Sequence, residues 1–282
     1  MTRTRNLTKL AIGLLLLALI INFAYRLDAE RTPHELVGEL MYFPSGYAVR
    51  ALSMGFQTPL ADIVWLRFIQ YYGEHRLSDT RYDLMHHILD ILTTLDPRFT
   101  YAYTLGGLML IHDAARPDQA QKLLQKGMRQ NPEEWRLPFM YAFMNYIFTK
   151  DYRTAKTYFG ISAQKPNAPD MPKRWLAFVT YLKLGDLKTA LSLWVDFYNG
   201  TDNPEEKQIA ETYIKNIKMK MDIQFLNAAV GKFIATFGRK PSILSELVTF
   251  GIAESIPVEP HGGSYYLKGT ETHSTLDSMG VQ

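Results

Sequence analysis

The densest set of metal-ligating side chains is His86, His87 and Asp90, and His86 and Asp90 lie four residues apart, on one face of any helix through them. An imidazole and a carboxylate at that spacing can share a divalent ion. A catalytic zinc takes three protein ligands, however, and no His-Glu-x-x-His pattern accompanies the pair. The set therefore reads as a partly exposed structural face, and no metal ligand is assigned. Asp62 and Arg67 interrupt the apolar stretch PLADIVWLRFIQYY, where charges must be paired if they are buried. They read first as a satisfied network in the core and second as a partner contact. Lys215, Lys218 and Lys220 read as a solvated helix face ahead of a lipid contact, and Asn199-Gly200-Thr201 is a glycosylation triplet of the kind chance supplies easily. No G-x-x-x-x-G-K-[ST], G-x-G-x-x-G or G-x-S-x-G occurs, so nucleotide and serine-hydrolase chemistry have no support. The expectation is a protein without catalytic residues, cofactor or small-molecule substrate.

With 31 basic and 28 acidic residues the net charge is only +3, and the charges are spread along the chain. That excludes the clustered basic footprint of a nucleic-acid binder. Cysteine is absent, which removes disulfides, thiolate metal sites, cysteine nucleophiles and lipidated cysteines together and suits an oxidising compartment. Aromatic residues make up 13% of the chain, too many for disorder and well suited to packed helices.

From Leu10 to Tyr25 no residue is charged and Asn22 is the one strongly polar side chain, while Arg3, Arg5 and Lys9 precede the run without an acid. No small-x-small cleavage site follows it, so an uncleaved anchor is favoured over a cleaved signal. Sixteen residues span about 24 Å as a helix, short of the roughly 30 Å hydrocarbon core, and Lys9 and Arg26 can snorkel to make up the difference. The basic lead at 1–9 is expected to be cytoplasmic, with the span at 10–26 and everything downstream across the membrane.

Ala120, Ala155 and Ala190 recur every 35 residues, each followed four positions later by a bulky apolar residue, Leu124, Phe159 and Trp194. The period is that of helix hairpins in which a small residue lets the two helices approach. Asp96-Pro97, Asn131-Pro132 and Lys165-Pro166 keep nearly the same beat. The turn KLGDLKTA, from Lys183 to Ala190, resembles the tetratricopeptide-repeat turn G-D-[YL]-x-x-A, and TKDYRTA resembles it with Lys150 in place of glycine. Phe139, Tyr146 and Tyr181 match the family's first-helix aromatics, whereas Leu108, Phe143 and Phe178 stand where it has a small residue. The stretch 43–75, FPSGYAVRALSMGFQTPLADIVWLRFIQYYGEH, and the P-x-x-P-x-G-G tail resemble a group of single-pass bacterial proteins with degenerate repeats of this superfamily.

The resemblance implies an all-α fold, a tetratricopeptide-like α-solenoid of antiparallel helix hairpins. It would occupy 58–200, beginning with Thr58 as N-cap and Pro59 at the first helical position. Residues 27–57 would be a linker and 201–251 capping helices, the first starting at Asn203-Pro204 and ending near Gly238. A short extended tail would fill 252–282, with a possible hairpin around Lys268-Gly269. In the family's register Met109, Met144, Phe148, Trp175, Val179 and Lys183 point into the concave groove. Exposed apolar residues there would receive a helix from a protein partner, or be covered by the tail or by residues 31–57. The expected role is a non-catalytic scaffold or adaptor in a bacterial envelope complex, held at the inner membrane with its repeats in the periplasm. The alternative is an accessory subunit permanently built into a larger assembly. On the groove assignment, Met144→Glu and Val179→Glu should abolish partner capture and leave helicity intact.

Overall fold

The computed structural model describes residues 45–276, together with Leu16, Ala18, Leu19, Asn22 and Arg26 as helical, exposed positions. The expected lead, nearly all of the expected span and most of the linker lie outside the described residues. Among the described residues no helix is long and apolar enough to cross a membrane. They form mainly α-helix in two compact units, residues 1–131 and 132–282. The boundary falls at Asn131-Pro132 inside the expected 58–200 array, so that stretch is two bodies with separate cores. Proline at this point denies the helix a continuation.

The first unit contains α1 (Gly46–Leu52), α2 (Gln57–Leu77), α3 (Met85–Leu95), α4 (Thr100–His112) and α5 (Pro117–Gln130). Part of the expected linker is thus helical, and Arg50 Nη1 fastens α1 by donating to Thr94 O at 3.1 Å. Helix α2 starts earlier than expected, with Phe56 as its cap residue and Pro59 third in the helix. A proline is tolerated there because first-turn N–H groups have no helical acceptor. Helix α3 is the centre of the unit: Met85, Ile88, Leu89, Ile91, Leu92 and Leu95 are all buried, and α1, α2, α4 and α5 pack around them. The α3–α4 contact depends on Gly106, where a Cβ would stand 2.7 Å from both methyls of Leu89.

The second unit runs through α6 (Arg136–Met144), a π-helical turn (Asn145–Thr149), α7 (Tyr152–Ala163), α8 (Met171–Leu182), α9 (Leu187–Gly200), α10 (Pro204–Phe237) and α11 (Ser245–Thr249). Each of α6 to α10 packs on the next in sequence. Ala120, Ala155 and Ala190 are fully buried, as are Leu124, Phe159 and Trp194, so the positions that keep the 35-residue beat are core positions. The turns repeat too: Ala115, Lys150 and Gly185 all have positive φ. In the last two turns Asp151 and Asp186 cap the following helix, accepting from the N–H of Thr154 and Thr189 at 3.1 Å. The Thr154 and Thr189 hydrogen bonds hold both carboxyls below the ordinary aspartate range.

Helix α10 begins and ends where the sequence indicates, with Asn203 Oδ1 accepting from Glu205 N–H at 3.0 Å and Gly238 in the left-handed conformation. At 1.5 Å per residue it is about 51 Å long. Its first half packs on α9 and its second half carries a separate core of Leu226, Val230, Phe233 and Leu247. The tail is more ordered than an extended strap. Strands β1 (Tyr265–Lys268) and β2 (Glu271–Ser274) pair antiparallel around Gly269 and dock on α10. Asn227 Oδ1 accepts from Thr272 N–H at 2.7 Å, and Tyr265 donates to Asp222 at 2.9 Å. Buried Glu259 shapes the approach to β1 by accepting from the N–H groups of His261 and Gly263 and from Ser274 Oγ.

Candidate binding cleft

A cavity of about 320 Å³ opens in the second unit between α8, α9 and α10, lined by Arg174, Trp175, Phe178, Trp194, Ile209 and Tyr213. Helical spacing builds it. Trp175 and Phe178 stand three apart on α8, and Ile209 and Tyr213 stand four apart on α10, so each pair projects from one face. Trp194 rises from α9 between them, buried and stacked on Tyr213 with centroids 4.3 Å apart and planes 6° from parallel. Phe178 meets Tyr213 edge-on at 6.3 Å, and Trp175 stacks on Phe159 at 5.5 Å. Rings locked by one another make a rigid apolar wall.

The polar chemistry is at the edge. Arg174 Nη1 lies 3.5 Å from Glu206 Oε1, and Glu206 also accepts from Thr201 Oγ1 at 2.8 Å, so the guanidinium is already paired. Burial raises the Tyr213 hydroxyl above the usual phenol range, leaving it a neutral donor at physiological pH. The Trp194 indole N–H is buried and finds no acceptor among the described residues. This set can enclose an apolar or aromatic side chain, and nothing in it supplies an acid, base and nucleophile in line.

Of the six residues expected to line the groove, only Trp175 is in the cleft. Met144 and Val179 are 1% and 0% exposed, so they are packing residues rather than groove residues. Phe178, at a position that is small in the resembled repeats, lines the opening, whereas its neighbour Val179 is buried and Phe143, at the corresponding earlier position, packs on the Ala142, Ala155 and Phe159 core. Phe148 and Met109 are half-buried, and Met109 belongs to the first unit. Lys183 is exposed with its ammonium 5.6 Å from the Tyr152 ring and 5.8 Å from Tyr146. Ile209 and Tyr213 were missed because they lie past the last recognisable repeat. The signal available was the i, i+4 pair on α10.

The other candidate residues resolve into structural contacts. Asp62 and Arg67 are exposed on α2, where Arg67 Nη1 donates to Gln70 Oε1 at 3.2 Å, so they form no buried network. Asp90 Oδ1 accepts from Lys126 Nζ at 2.7 Å, and the same ammonium reaches Thr93 and Thr94 hydroxyls, tying α5 to the end of α3. Burial lowers the His86 pKa. Among the described residues no group of three or more His, Cys, Asp or Glu is placed to hold a metal ion. Comparison of the chain with protein-family models and with curated proteins finds no match.

Proposed function

We propose that the protein is a non-catalytic adaptor of tetratricopeptide-like helix hairpins, anchored by residues 10–26 in a bacterial inner membrane with its N-terminus cytoplasmic. The hairpins lie on the periplasmic side. The second unit takes an apolar side chain of a protein partner into the Trp175–Tyr213 cleft. The observation that carries the reading is the cleft itself: four aromatic residues from three successive helices around an opening large enough for a side chain. Its walls are preformed, so binding costs little ordering and a modest contact suffices. The basic lead and uncharged run support the anchor, which would raise the adaptor's effective concentration at a membrane complex.

A photo-crosslinking residue at Ile209, on the rim, tests this in living cells against the same residue at exposed Ser192. The expected result is an adduct with one protein at 209, absent at 192 and lost on Tyr213→Ala. Equal labelling at both positions, or none at 209, removes the cleft from the function. An adduct whose partner co-purifies in fixed stoichiometry, without exchange, would instead favour a permanent subunit.

A further inference from the structure

Helix α2 carries large apolar residues on both faces. Ala61, Val64, Phe68, Tyr71 and His75 are buried, which accounts for one side. On the opposite side Phe56 is 70% exposed, Ile63 55%, Leu66 63% and Ile69 42%. Positions 56, 59, 63, 66 and 69 advance by three or four, so with exposed Pro59 these side chains form one outward stripe, which exposed Gln70 enters four residues beyond Leu66. A row of large apolar side chains is seldom left exposed to water without a covering surface. Exposed Arg67 stands at one edge of the stripe and exposed Arg76 at the other, and its acids are exposed Asp62 and half-buried Glu74, which lies about five turns beyond Phe56 on the same line. In the same unit Tyr47, Leu52 and Met54 are also strongly exposed.

We infer that this face of α2 lies on lipid, with Phe56, Ile63, Leu66 and Ile69 among the upper acyl chains and Arg67 and Arg76 at the phosphates. The inference rests on the anchored reading above. Two features select lipid as the occupant. Only 18 residues, 27 to 44, separate Arg26 at the end of the apolar run from Ser45. Even fully extended they hold the unit within about 65 Å of the bilayer, so that surface is always within reach of the face at high effective concentration. The second feature is charge: aliphatic residues and Phe between two arginines match acyl chains beneath anionic headgroups, as in helices that lie in a membrane interface.

The chain has no cysteine, so Leu66→Cys in the full-length protein accepts a single polarity-sensitive fluorophore. Ser192→Cys in the second unit is the control. Each is reconstituted into phosphatidylethanolamine–phosphatidylglycerol vesicles with brominated acyl chains, and flotation is recorded alongside emission. The expected result is flotation of both, with a blue shift and bromolipid quenching of most of the emission at 66 and neither at 192. Flotation with the probe at 66 quenched only by aqueous iodide overturns the inference and leaves the anchor standing. Flotation with the probe shielded from both quenchers also overturns it, because protein then covers the face. Failure to float removes the anchor and the inference together.

Discussion

Ala115, Lys150 and Gly185 stand 35 residues apart with φ of 53°, 58° and 66°. Only Gly185 is suited to that conformation, since a Cβ in the left-handed region crowds the carbonyl oxygen and costs on the order of 1 kcal/mol. The sequence presents Lys150 as a departure from the repeat turn, yet the backbone is the same and Asp151 caps the next helix as Asp186 does. The recurring turn was therefore legible from Asp and Ala, whereas the shared dihedral was hidden because non-glycine residues occupy it at two of the three places. Lys150→Gly should remove the strain, offset in part by the entropy glycine adds to the unfolded chain. The expected gain is about 0.5 kcal/mol, read as a higher denaturant midpoint at unchanged slope. A lower midpoint would mean that the Lys150 side chain makes a contact worth more than the strain.

Elements were legible where their two faces differ and obscure where they do not. Helix α7 follows from its buried Ala155 and Phe159 against exposed polar positions, and α10 from its cap at each end. Helix α2 shows no such contrast, so Asp62 and Arg67 looked like intruders in a core when they sit on the outer face. The β1–β2 hairpin was only faintly indicated, because four-residue strands carry little periodicity and this pair is held by side chains of α10. Close approach is the feature a glycine in mid-helix betrays. Gly106→Ala would push a methyl against Leu89, which is already fully buried among α3 and its neighbours. Overpacking of this kind costs about 1 to 3 kcal/mol, more than alanine returns in helix propensity. Denaturant unfolding should show that loss, and a stabilised variant would mean that α3 and α4 can separate freely.

At the scale of the molecule the division at Asn131-Pro132 separates the two proposed surfaces. The proposed lipid face belongs to the first and the proposed partner cleft to the second, and each unit has its own buried centre, around α3 and around Ala177, Trp194 and Ile217. Val179 tests that separation. It is fully buried against Ala142, Ala155 and Phe159, so Val179→Glu places an unpaired carboxylate in an apolar core and should cost more than about 4 kcal/mol. That outcome reverses what a groove position would give, namely lost binding with helicity intact. Hydrogen exchange resolves where the loss falls. Amides of α6 to α10 should lose protection, while those of α3, packed among α1, α2, α4 and α5, should exchange as slowly as in the parent protein. Protection lost equally in α3 would show that the first unit depends on the second for its stability, and lipid contact and partner capture would then be two effects of a single cooperative body.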